Sequence, residues 1–315
     1  MNKLLLYVLA LIALCFSSCS EYGEEVWINA DGSGRYEMNQ DLSSMLPFIE
    51  MGLEGAKQKL ENAENEDSIE GEKKKMDPSK FIAIFESGKA DTTFNFESIA
   101  KEGFEKDGEI YSRTALKAKM QEKMSEGEDK FKGTKAEKDK IWSFVENVLD
   151  MKTRIQYDQE SSMLKNTISQ KFKSTDDMMF SNLPELIDII SKYDTDNDRL
   201  NDPATKEAMT KIKESSPTYE LSKGMIKVRR KAMDMESARA DEETQQGMQM
   251  MQGMMGNSTY TLTIHVPGKV KKVSKDGASF KGSTVTWTMP ALDMYDTTKD
   301  LNLDIAYKPK KKIKY

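Results

Sequence analysis

Residues Thr259–Gly268 read TYTLTIHVPG. Tyr260, Leu262, Ile264 and Val266 take every second position, Thr261, Thr263 and His265 fill the places between, and Pro267 with Gly268 ends the run. Side chains alternate faces along an extended strand, so this stretch buries one side and wets the other, as strands of antiparallel sheets do. Thr284–Thr288 and Leu301–Tyr307 supply two further strands of the same kind.

More than two hundred residues earlier the one-sided pattern occurs again. Val26, Ile28 and Ala30 alternate with Trp27 and Asn29, the turn Asp31-Gly32-Ser33-Gly34 follows, and Tyr36 and Met38 resume the alternation. Glycine tolerates positive φ and aspartate can bond its own backbone, so this is a β-hairpin. A lone two-stranded hairpin is marginal in water. Val26, Ile28, Tyr36 and Met38 therefore need more strands and a helix over them, and the C-terminal strands are the best partners. The expected fold is α+β: an antiparallel sheet built from the N-terminal hairpin and the C-terminal strands, packed on helices, with charged helical insertions between.

The middle of the chain supplies those helices. Leu42, Met45, Leu46, Ile49 and Leu53 fall at helical spacing behind Asp41, which can cap, with Pro47 tolerable in the first turn. Phe81–Phe85 and Thr92–Phe96 have strand character, the second as a half-buried edge. Thr134 with Glu137 three residues on makes a capping box before the stripe Ile141, Phe144, Val145, Val148 and Leu149. Met151–Tyr157 and Leu164–Phe172 can pair as a hairpin, and Tyr219 and Leu221 face Ile226 and Val228 across Lys223 and Gly224 as another. Asn182 with Glu185, Pro184 in the first turn and the stripe Leu183, Leu186, Ile187, Ile190 mark a helix. Three charged segments, about 57–80, 113–140 and 234–256, read as insertions upon a single domain spanning 26–308, and 309–315 as a basic tail.

The order of these elements resembles the LppM-like group of bacterial lipoproteins. The matching residues are Asp31 to Gly34 in the turn, Pro267, Gly268 and Val270, then Thr284, Val285 and Trp287, and finally Leu301, Leu303, Ile305 and Lys308. These short motifs cover about a third of the chain. The resemblance implies a sheet wrapped around a long helix, with an apolar groove suited to a lipid or other amphiphile.

At the N-terminus, Asn2 and Lys3 precede an apolar stretch from Leu4 to Phe16, then two serines and Cys19. That stretch is too short for a permanent transmembrane helix and ends in small residues, so residues 1–18 read as a signal peptide. Phe16-Ser17-Ser18-Cys19 resembles a lipobox, with phenylalanine in place of the usual leucine, a relaxation similar to that of lipoproteins of the Bacteroidetes group. The resemblance implies lipidation of Cys19 and anchoring in a membrane. Ser20 stands where aspartate would retain such a protein in the inner membrane, which implies the outer membrane. Residues 19–25 read as a tether; their Glu21, Glu24 and Glu25 are either a plain solvated linker or similar to a surface-export signal.

The chain has only two cysteines. Cys15 leaves with the signal and Cys19 becomes a thioether, which excludes disulfides, thiol nucleophiles and cysteine metal sites from the mature protein. Charged residues make up 32% of the chain, 47 basic against 53 acidic. They are interspersed, so no basic surface of the kind nucleic acid needs emerges outside Lys308–Lys314.

Three features could carry chemistry. His265 is the one histidine, on the wet face of its strand; general-base work would need an orienting partner and a nucleophile, and sequence alone names neither. Asp194, Asp196, Asp198 and Asp202 place carboxylates at positions 1, 3, 5 and 9 of a calcium-loop pattern. Arg199 occupies the glycine place and Thr205 that of the closing glutamate, so a polar loop explains them as well. Met248, Met250, Met251, Met254 and Met255 offer thioethers to Cu(I), or simply fill apolar surface. No GxSxG, P-loop or HExxH occurs. The expectation is a non-enzymatic envelope lipoprotein, without cofactor unless the aspartates bind calcium, that binds an amphiphile or a partner protein. The rivals are a calcium- or copper-binding protein and a hydrolase whose acids no motif singles out.

Overall fold

A computed structural model of the chain describes residues 21–47, 49–50, 83, 85–106, 108, 110–123, 133–193, 207, 210–211, 213–234, 256 and 258–309. Strands β1 (Glu21–Ile28) and β2 (Gly34–Asp41) form the first hairpin. Asp31 closes its turn by accepting bonds from the Ser33 backbone and hydroxyl at 3.1 and 2.7 Å, and Gly32 takes a φ of 87°. Gly34 must be glycine for another reason: a Cβ there would lie 1.9 Å from the Trp27 carbonyl oxygen and 2.5 Å from the Phe172 ring.

β3 (Lys89–Asn95), β4 (Lys152–Asp158) and β5 (Met163–Phe172) join β2 on one side. β6 (Thr218–Ser222) and β7 (Met225–Arg229) pair with each other, and β8 (Thr259–His265) joins β1 on its other side. β9 (Gly268–Val273), β10 (Ala278–Lys281), β11 (Thr284–Pro290) and β12 (Leu303–Pro309) complete the described strands. Eight form one sheet in the order β10-β11-β8-β1-β2-β5-β4-β3, and four form a second in the order β6-β7-β12-β9.

The N-terminal hairpin and C-terminal strands thus do share a sheet, and the fold is α+β. Three details differ from expectation. β1 meets β8 in parallel, not antiparallel; a parallel pair needs a crossover connection, which the long intervening chain supplies. The strand at Leu301–Tyr307 lies in the second sheet, beside β9, which continues from Gly268 where the sequence signalled a stop. β9 escapes a reading by pattern because three of its six residues are lysine. Residues 21–25, read as tether, are the first half of β1.

Among the described residues four helices pack with the sheets: α1 (Phe96–Lys106), α2 (Arg113–Lys123), α3 (Lys135–Leu149) and α4 (Met179–Tyr193). β3 ends where Asn95 accepts the Glu97 amide at 2.9 Å, so Phe96 opens a helix instead of extending the strand. Within Phe81–Phe85, the described residues 83 and 85 are helical; a short continuous apolar run cannot distinguish helix from strand by period. Asp41 accepts the Ser43 amide at 3.0 Å, but the cap position of the 3-10 turn Ser43–Met45 that leads into residues 46–47 falls on Leu42, so Asp41 stands one place before it. The Thr134–Glu137 capping box forms as read. α4 starts earlier than read, after a separate 3-10 turn, Thr175–Asp177, that has its own capping box of Ser174 and Asp177; positions 182 and 184 therefore fall inside the helix and not at its start. α2, taken as part of a charged insertion, buries Leu116 and Met120, one helical turn apart, in the core. The segments 57–80 and 235–255 lie outside the described residues.

One apolar cluster joins both sheets and all four helices, with Val26, Ile28, Met38, Ile264 and Val285 from the larger sheet, Ile226, Val228, Leu303 and Ile305 from the smaller, and Phe104, Leu116, Phe144 and Leu183 from helices. A small second cluster of Leu46, Tyr157 and Leu164 closes the β3 side.

Candidate functional site

Strand alternation sends the adjacent residues Glu24 and Glu25 to opposite faces of β1. Glu24 enters the core at 3% exposure, opposite Arg230, which follows β7 and is 8% exposed. Arg230 Nη2 donates to both Glu24 oxygens, at 2.7 and 3.0 Å. The Tyr22 hydroxyl donates to Glu24 Oε1 at 3.1 Å, and that of Tyr219, on β6, to Oε2 at 3.3 Å. Arg230 Nη1 donates to the Tyr260 hydroxyl on β8 at 2.6 Å, and its backbone amide to Asn302 Oδ1 at 3.3 Å. Tyr22 and Tyr260 stack with centroids 5.4 Å apart.

This cluster ties β1 and β8 of one sheet to β6 and β7 of the other. Burial pushes the Tyr22 and Tyr219 hydroxyls well above the ordinary tyrosine range, with Glu24 adding to the shift and Arg230 opposing it. Burial raises Tyr260 too, against the pull of Arg230. All three stay protonated and can donate. Burial acts to lower Arg230, but Glu24 and the tyrosines outweigh it and hold the guanidinium charged. A general acid or base must reach its substrate. Glu24 is enclosed and both oxygens are saturated with donors, so its chemistry is that of a clamp. Nothing along the chain signals this pair, whose members are 206 positions apart.

On the opposite face, Glu25 Oε1 lies 2.7 Å from His265 Nε2, and Thr284 Oγ1 lies 3.0 Å from Nδ1. The His265 ring stacks on Trp27 at 5.0 Å and 6°, and the Arg35 guanidinium covers the Trp27 ring at 3.7 Å. Around them stand Arg35 with Glu37 at 3.3 Å, Thr261 with Thr288 at 3.1 Å, and Thr167 with Asn39 at 2.8 Å. His265 is therefore on the wet face as read, but held between partners instead of turned freely to solvent. The order acid, imidazole, hydroxyl is that of a nucleophilic triad. Acyl transfer also needs backbone donors aimed at a developing oxyanion. The strands beneath, β8 and β11, are each paired on both sides, so their amides are committed to the ladder.

Cys19 and the aspartates Asp194, Asp196, Asp198 and Asp202 lie outside the described residues, as do Met248, Met250, Met251, Met254 and Met255. Among the described residues no group of three or more His, Cys, Asp or Glu could hold a metal ion, and no helix is long and apolar enough to cross a membrane.

Among solved structures, the chain is similar to the folded domain of LppM from Mycobacterium tuberculosis, determined by NMR. Identity is 8% over 95% of this chain and 96% of that one, with a TM-score of 0.28. So loose a superposition does not establish a common fold. No protein-family model matches the chain, and no curated protein matches it.

Proposed function

We propose that this protein is a lipid-anchored, non-catalytic domain of the bacterial cell envelope, held on the outer membrane and presenting its surface to a partner protein. The observation that carries the reading is the spacing at the N-terminus. Cys19, in its lipobox-like setting, stands two residues before Glu21, the first residue of β1. Acylation there would hold the folded sheet against the bilayer with almost no tether. The ionisable groups gathered in the fold support the non-catalytic part, since Glu24 is enclosed and the Glu25–His265–Thr284 group lies on β8 and β11, whose amides are committed to the ladder. Of the two ligand classes, a partner protein is favoured over an amphiphile between the sheets, because Met38, Tyr260, Ile226, Ile264, Leu303 and Ile305 already fill that space.

Envelope fractionation tests the anchor. Cys19→Ala should move the protein from the membrane to the soluble fraction; a variant that stays with membranes after a salt wash would overturn the reading.

A further inference from the structure

Where β9 and β12 of the smaller sheet meet the β10–β11 turn of the larger, the fold carries a charge pattern that the proposed anchor does not use. A shallow depression there is lined by Gly268, Lys269, Gly282, Ser283, Lys308 and Pro309. It exists because two backbones nearly touch: a Cβ at Gly268 would lie 2.2 Å from the Lys308 carbonyl oxygen. Lys269, Lys281 and Lys308 stand exposed around it, as does Lys223 of the β6–β7 turn, whose Gly224 carbonyl accepts the Tyr307 amide at 2.9 Å. None of these four lysines has an ion-pair partner among the described residues. Of the nearby acids, Asp304 is engaged with Arg229 at 2.6 Å and Asp31 with Ser33, and Glu220 is exposed on β6, opposite Lys227 in the register. Past Pro309 the chain reads Lys310, Lys311 and Lys312, so residues 308–315 hold five lysines and no aspartate or glutamate.

An apolar group accompanies the charge. Phe280 precedes Lys281 on the edge strand β10 and takes the other face, that of its partner Val285; it is 46% exposed, one of two large hydrophobic side chains so placed among the described residues. Register gives the direction. Glu21 pairs with Asp41 and Thr259 at one end of the sheet, whereas His265 and Thr284, at the other end, lead into Gly268 and Gly282. The eight residues of β1 separate the two ends by about 25 Å.

We propose that this lysine-rimmed end, with Phe280 beside it, docks on a bilayer surface bearing anionic phospholipid headgroups. Lysines are flexible point charges suited to a diffuse negative surface, whereas fixed recognition of a single carboxylate or phosphate favours the planar fork of arginine. The arginines nearby are committed, Arg229 to Asp304, Arg230 to Glu24 and Arg35 to Trp27. Basic residues next to an exposed aromatic are the composition of interfacial binding. Nucleic acid would call for several aromatic stacking platforms, whereas Phe280 is the single exposed large aromatic among the described residues. With Cys19 acylated, as in the proposed function, the docked surface is not the one beside the anchor, and the molecule bridges two surfaces.

Vesicle co-sedimentation of the full chain carrying Cys19→Ala separates this proposal from the anchor, because no acyl chain contributes. Mixed phosphatidylcholine–phosphatidylglycerol vesicles should bind at least about tenfold more tightly than phosphatidylcholine alone, with the difference fading in high salt. The triple variant Lys269→Gln, Lys281→Gln, Lys308→Gln should lose about tenfold of that affinity, whereas Lys89→Gln, Lys135→Gln, Lys165→Gln should keep it. Equal binding to both vesicle types overturns the proposal, and so does an equal loss in both triple variants. Binding to heparin in place of vesicles overturns the choice of a bilayer.

Discussion

Glu24 and Glu25 are neighbours in the chain with identical chemistry, yet they sit in opposite physical worlds. Glu24 is enclosed between two sheets with a guanidinium and two tyrosine hydroxyls on it. Glu25 has a third of its side chain in water and a half-buried histidine for a partner. Coulomb attraction and desolvation both grow as water leaves, so the buried pair is the one whose disruption is costly, although its net stabilisation against an apolar replacement is small. The difference teaches that one peptide unit of strand pleat, and not residue type, decides whether a carboxylate is a structural tie or a surface group.

The sharpest way to break the comparison is to remove each acid in turn. Glu24→Ala strands the Arg230 charge in the core and should cost about 3–5 kcal/mol in denaturant unfolding. Replacing the pair together, Glu24→Leu with Arg230→Met, should recover most of that loss; failure to recover would mean that the hydrogen bonds to Tyr22, Tyr219 and Tyr260 matter more than the charges. Next in size is the register on which both glutamates depend. Gly34→Ala forces a methyl group against the Trp27 carbonyl and Phe172 and should cost about 1–3 kcal/mol, read from the same unfolding curves. The smallest effect is expected at Glu25→Ala, about 0–1 kcal/mol and shrinking as salt rises. Equal costs at positions 24 and 25 would show that burial is not what separates them.

How much of this was legible beforehand follows from the range of the physics involved. The alternation in Tyr260–Val266 and the hairpin at Asp31–Gly34 are local, and both appear as read. So do the capping box at Thr134 and the turn at Gly224. α1 was missed because its start depends on the Asn95 side chain turning back onto the Glu97 amide, a signal hidden in a strand-like stretch. β9 was missed because it packs one buried valine, Val270, among lysines. On the outer face, His265 was identified, but Glu25, Trp27 and Thr284 could not be attached to it, since strands adjacent in space are distant in sequence.

The amino-acid sequence by itself determined which faces of the strands turn inward, where the tight turns fall, and that two distant runs with the same one-sided pattern would find each other. Those outcomes rest on periodicity and backbone freedom, which act over a few residues. Only the tertiary structure decided that β1 lies parallel to β8, that a second sheet covers the first, and that Glu24 meets Arg230. Each of those depends on a long crossover and on the geometry of packed layers, so a buried ion pair could stand in a stretch that, read along the chain, is only a run of acids before a strand.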